Sequence, residues 1–137
     1  MSEQENTAVV QQAYHNFQTG NIEGLVNQMS TDITWQLPEV EGVPLSGTRT
    51  GREGALDFFT TLARDQDVLS FEPKEFVAQG DKVISLGSYA WRIKETGREY
   101  ASDFVHIFTI QDGVVTSFRE HFDTAALAGA YKKAMSA

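Results

Sequence analysis

The stretch SFREHFD, Ser117 to Asp123, sets a glutamate between two phenylalanines. Alternate side chains of an extended strand share a face, so Phe118, Glu120 and Phe122 point one way and Arg119, His121 and Asp123 the other. A carboxylate in that company is poorly solvated. Burial favours its neutral form and a nearby protonated imidazole favours its charged form; either outcome yields a proton carrier suited to general acid–base work. The imidazole is available in DFVHIFTI, where His106 interrupts an apolar run and shares a face with Phe104, Phe108 and Ile110. A neutral histidine donates from one ring nitrogen and accepts on the other, so His106 can orient a substrate oxygen or relay a proton. Paired as a hairpin, the two segments bring Glu120 and His106 within about 5–8 Å, provided no bulge changes the parity. The plainer alternatives are a rim carboxylate, or one paired with Arg119 or Arg92 at a dimer surface, and a core histidine bonded to Tyr14 or Glu120.

Tyr89 joins these two as a candidate catalytic residue, a phenol able to donate to a ligand carbonyl. Aromatic side chains supply the walls of a ligand pocket: Trp35, Tyr89 and Trp91 on one face of the strands, Tyr14 and Phe17 pressing on it from a helix. Leu37, Phe59, Phe104, Phe108, Phe118 and Phe122 complete the expected lining. Plain core packing is the competing role for Trp35 and Phe17. His15 and His121 are expected to face away, so the three histidines offer no metal-binding spacing. Asp103 is three residues from His106 and falls on the opposite face. GVPLSGTRTGREG lacks the lysine of a phosphate-binding loop and reads as a pocket lip, with Arg49 or Arg52 as ion-pair partners.

These side chains need a scaffold, and 137 residues favour a single domain over 1–137 with an ordered core of about 5–135. Glu5 to Thr19 has helical spacing at Val9, Val10, Ala13, Tyr14 and Phe17, with Gly20 as its left-handed stop. Asn21 caps a short helix carrying Ile22, Leu25, Val26 and Met29. A strand follows over Asp32–Leu37, then a proline- and glycine-rich loop with a two-residue strand around Leu45, then a helix from Arg52 to Leu62. The period then changes to two. Strands are expected over Val68–Ala78 (bent near Pro73), Lys82–Ile93, Glu99–Ile110 and Val114–Asp123, joined by hairpin turns into an antiparallel meander. Thr124–Met135 is a closing helix. The plan is α+β, with helices packed on one face of a long curved antiparallel sheet. A sheet curved into a cone has a natural pocket at its open end.

The combination of YHNFQTGNIEGLVNQMSTDITWQLP, PLSGTRTGREGALDFF and YASDFVHIFTIQDGVVTSFREHFD resembles the nuclear transport factor 2-like fold, in its SnoaL-like and ketosteroid-isomerase-related branch. The resemblance implies a cone-shaped sheet with the N-terminal helices on its concave face, and it places Glu120 and His106 inside. Steroid isomerases of the family use a first-helix tyrosine and two carboxylic acids. Those positions fall on Ala13 (Tyr14 is one residue displaced), on Leu37 and near His106. Limonene-epoxide-hydrolase relatives use an Asp-Arg-Asp set; Glu120 matches one aspartate, and the other two positions hold Gly87 and Tyr89. Polyketide cyclases of the branch pair an acid with a histidine, which His106 and Glu120 could supply.

The expected function is a proton-transfer enzyme of isomerase, cyclase or dehydratase type, acting without a cofactor on a hydrophobic carbonyl-bearing or polycyclic compound. The alternatives are a noncatalytic binder of an apolar small molecule and a dimeric scaffold. The net charge of −8 disfavours nucleic acid and anionic membrane surfaces as partners. The chain has no cysteine, which removes disulfides, thiolate nucleophiles and cysteine-ligated metals. The opening residues do not have the form of a signal peptide, no run of about 18 apolar residues occurs, and a cytoplasmic location is the default expectation. Val83, Val105, Ile107 and Val115 are expected on the outer face of the sheet, where they would support a homodimer.

Overall fold

A computed structural model describes residues 2–132. The first helix, α1 (Glu3–Gln18), begins two residues ahead of the sequence expectation. Ser2 and Glu5 form a reciprocal capping box, with the Glu5 amide donating to Ser2 Oγ at 3.0 Å and the Ser2 amide to Glu5 Oε1 at 3.2 Å. Gly20, at φ 76°, ends the helix in the left-handed conformation, and Asn21 Oδ1 accepts from the Gly24 amide to start α2 (Ile22–Asn27). Met29 lies outside that helix and opens β1 (Met29–Gln36). The short strand of the following loop is β2 (Thr48–Thr50), displaced from the expected position at Leu45, which is instead a buried loop residue. α3 (Gly51–Asp65) runs three residues past Leu62.

Four long strands follow: β3 (Gln66–Gln79), β4 (Lys82–Ile93), β5 (Glu99–Gln111) and β6 (Val114–Phe122), and then α4 (Thr124–Tyr131). The expected end of α4 at Met135, like the end of the expected core, lies outside the described residues. Asp112 and Gly113 both take positive φ (51° and 78°), the conformation of a tight hairpin turn whose twist matches its strands. The six strands form one sheet in the order β2-β1-β6-β5-β4-β3. β3 to β6 are the expected antiparallel meander. β1, however, joins β6 in parallel, so the sheet is mixed. The chain reaches β1 before the meander and enters the sheet beside its last strand, with no hairpin to force an antiparallel pairing.

Two irregularities bend the edge strand β3, one at the expected place between Pro73 and Glu75 and one between Val68 and Ser70. The helices α1 and α3 pack on the sheet, α1 chiefly against β3 and β4 and α3 against β1. The resulting core takes Val10 from α1, Leu25 from α2, Ile33 from β1 and Ala55 from α3. Val83 and Val115 belong to this core, at 0% and 2% exposure, and not to the outer face. Val83 is in phase with the inward-facing Tyr89. Val115 is turned inward because Thr116 is an extra residue on β6, between the pairs Thr109–Ser117 and Ile110–Val115. Val105 and Ile107 are half-buried on the opposite side of β5 from His106. No helix among the described residues is long and apolar enough to cross a membrane.

Candidate active site

β5 and β6 set the site. Their register pairs Phe104 with Phe122, His106 with Glu120, and Phe108 with Phe118. The bulge at Thr116 lies beyond this block, so the parity read from the sequence holds where it matters. His106 Nε2 meets Glu120 Oε2 at 2.6 Å, and both residues are buried. From β4, the Tyr89 hydroxyl donates to the same carboxylate oxygen at 3.1 Å. From α1, the Tyr14 hydroxyl lies 2.7 Å from His106 Nδ1. Four side chains from four elements form one buried chain, Tyr14–His106–Glu120–Tyr89. The core-histidine alternative is thus realised in both forms at once, since His106 bonds to Tyr14 and to Glu120. The rim alternative for Glu120 is not: Arg92 faces Asp67 and Glu99, and Arg119 is exposed on the other side of β6.

With Glu120 ionised and the imidazole neutral, the donors and acceptors in this chain fit together in one way. A carboxylate only accepts, so Nε2 carries a hydrogen and gives it to Glu120. That leaves Nδ1 as the acceptor for the Tyr14 hydroxyl. Burial pushes the Tyr14 phenol far above its ordinary value, against an opposing effect of the nearby Ser85 hydroxyl and with a small addition from the Glu120 charge. Burial raises the Tyr89 phenol as well, and the Glu120 carboxylate and then Tyr100 add to the rise. Both phenols therefore remain donors across the ordinary pH range. Two hydrogen bonds converge on Glu120 Oε2. Oε1 takes none from any described residue.

This chain opens on a narrow cavity of about 80 Å³, smaller than a typical small-molecule site. The expected wall residues Tyr14, Phe17, Trp35, Leu37 and Phe59 line it, as do Trp91, Phe108, Phe118 and Phe122 with the catalytic candidates Tyr89, His106 and Glu120. Trp35 lies flat on Phe118, ring centroids 3.9 Å apart, and its indole N–H is buried without a partner. Phe104 does not reach the cavity. It lies behind the wall, stacked on the His106 ring at 4.1 Å and on Phe71 at 5.4 Å, and it occupies the space over Gly87, its cross-strand partner. His15 and His121 are exposed, away from the site, and Asp103 also faces out. At the lip, Arg49 pairs with Asp57 at 3.1 Å, and Arg52 grips the Met29 carbonyl with two N–H groups.

The lining also holds residues that the sequence reading missed, among them Tyr100, Phe71, Gln66 and Leu127. Tyr100 is in phase with Phe104 and His106 on β5, so the two-residue rhythm contained the signal. Burial raises its phenol, and the charge of Glu120 contributes. Leu127 comes from α4, which lies across β4 and β5.

The SnoaL-like domain model matches residues 10–118 of the chain. The chain belongs to the SnoaL-like domain family. This SnoaL-like chain is also similar to an NTF2-like protein of Burkholderia xenovorans, with 35% identity, a TM-score of 0.87 and coverage of 96% of this chain and 99% of that one. It is similar to TerC co-crystallised with polyporic acid, with 28% identity, a TM-score of 0.77 and coverage of 93% and 98%. An NTF2-like protein of unknown function from Burkholderia pseudomallei shares the fold at 24% identity and a TM-score of 0.83, over 96% and 99% of the two chains. No curated protein matches.

Proposed function

We propose that this protein is a general acid–base catalyst that moves a proton on a hydrophobic carbonyl-bearing or polycyclic ring compound, as in isomerisation, cyclisation or dehydration. One observation carries the reading: a buried carboxylate with one oxygen bonded by two side chains and the other without a partner among the described residues, beside an apolar cavity. Glu120 is the proton carrier. Its free Oε1 takes a proton from a carbon next to a substrate carbonyl and returns it elsewhere on the ring system. His106 holds the carboxylate in place and, with Tyr14 behind it, spreads the changing charge along the chain. The Tyr100 hydroxyl in the same lining is the donor for the oxygen on which negative charge develops. Such chemistry requires no cofactor. The family supports the reading, and so does the co-crystallisation of TerC, a relative at 28% identity, with polyporic acid.

The test uses ring ketones, enones and polyketide-like ketones incubated in D2O. Exchange or isomerisation at the α-carbon is followed by NMR for the wild type and Glu120→Gln. Catalysis lost in the variant supports the role; equal rates reject it. A second reading, a noncatalytic binder, is favoured by Leu37 standing in the cavity wall where the steroid-isomerase resemblance places a base. Retention of an intact ligand with no exchange at any position would select it.

A further inference from the structure

The polar groups of the cavity are not all at Glu120. Gln66 follows the last helical residue of α3 and opens β3, and it lines the same cavity at 4% exposure. Its Nε2 donates to the Tyr131 hydroxyl at 3.1 Å, while its Oε1 is buried without a partner among the described residues. Exchanging the two amide atoms changes only which is stranded, because the Tyr131 hydroxyl can donate as well as accept. Either way, one buried amide group has no partner, a costly arrangement that packing alone does not favour. Tyr100, nearby in the lining, has a hydroxyl that makes no hydrogen bond with any described residue. The register places Gln66 opposite Ile93, four residues along β4 from Tyr89, or about 13 Å of strand. The Tyr89 hydroxyl itself reaches Glu120. Between the two polar ends the wall is aromatic and aliphatic, including Trp91, Phe71, Leu62 and Leu127.

We propose that Gln66 is a specificity-determining residue that holds a second polar group at the far end of the ligand. The ligand class is then a flat compound of two or more rings with a hydroxyl or carbonyl group at each end. The proposal rests on the reading that places the reacting end at Glu120. It is tested with a matched pair of probes, 4,4′-biphenol and 4-phenylphenol, by calorimetry and quenching of tryptophan fluorescence. The wild type should bind the biphenol about 6–20-fold more tightly, twofold of this being the statistical advantage of a symmetric ligand and the rest one added hydrogen bond. In Gln66→Met the ratio should fall to about two. A ratio of about two in the wild type overturns the proposal without any variant having to fold. So does a ratio unchanged in Gln66→Met, or no binding of either probe. The acid–base reading fails separately: unchanged exchange rates in Glu120→Gln would remove it, while an intact biphenol ratio in that variant would still support the role of Gln66.

Discussion

Two substitutions at Glu120 separate its chemical from its structural role. Glutamine keeps the shape and one carbonyl oxygen, which can still accept from His106 Nε2 and the Tyr89 hydroxyl, the contacts now at 2.6 and 3.1 Å. It loses the charge on those bonds and also the cost of burying that charge, so Glu120→Gln should change unfolding free energy by about 1 kcal/mol or less. Leucine strands both donors. With the site 7% exposed, solvent cannot replace the lost acceptor. Two unsatisfied buried donors at about 1–3 kcal/mol each predict a loss of about 2–6 kcal/mol in Glu120→Leu. Both variants should lose proton transfer by about 10²–10⁴-fold. Urea unfolding and α-proton exchange in D2O read the two effects separately. Equal stability of the Gln and Leu variants would refute the hydrogen-bonded chain, and exchange within about threefold of wild type in Glu120→Gln would refute the proton carrier.

Three further outcomes follow from the same geometry. Gly87→Ala would place a Cβ 2.4 Å from the Glu72 carbonyl and 2.5 Å from the Phe104 ring, so stability should fall by about 1–3 kcal/mol; an unchanged urea midpoint would contradict the close contact. The Tyr14 and Tyr89 phenols are raised by burial, so the unfolded chain releases their protons first; stability is fully present below the ordinary phenol value near pH 10 and is lost above it by up to about 1.4 kcal/mol per pH unit per phenol. Replacing Tyr89 by Phe should remove one phenol's share of that alkaline slope, and the same slope in the variant would refute the assignment. On the outer sheet face Val77 is 52% exposed beside its register partner Ile84, with Val105 and Ile107 half-buried on β5; we propose that a second copy covers this face, so light scattering should give about twice the 15.2 kDa chain mass and Ile107→Lys the single mass, whereas a monomeric wild type would rule the interface out.

The local rules that read this sequence well are those with one dominant cause. Strand parity put Phe118, Glu120 and Phe122 together because side-chain alternation is fixed by backbone geometry. Hairpin chemistry at Asp112-Gly113 fixed the partner of that strand, and so brought His106 opposite Glu120. The parallel pairing of β1 with β6 joins segments some eighty residues apart, and nothing local in MSTDITWQ announces it. Phe104 has the right parity but not the role assigned to it, because Gly87 leaves a hollow in the opposite strand that its ring fills. Gln66 was hidden for another reason. It stands at a helix–strand junction, and the irregularity just after Val68 breaks the alternation that would have carried the inward phase back to it.

The bulge at Thr116 shows how much the site depends on where an irregularity falls. One extra residue reverses the face of every side chain beyond it along a strand. At Thr116 it turns Val115 inward, adds a valine to the core, and leaves Phe118, Glu120 and Phe122 in phase with His106. Placed three residues later, between Phe118 and Glu120, the same insertion would send Glu120 to the outer face and bring Arg119 or His121 toward the aromatic wall. His106 would then lose its acceptor, Tyr89 would point its hydroxyl at nothing, and an apolar cavity would receive a cation with no counter-ion. The His106–Glu120 pair is kept because the bulge flanks the block of paired residues. The phase of β6 at that one residue thus decides whether the cavity contains a proton carrier at all.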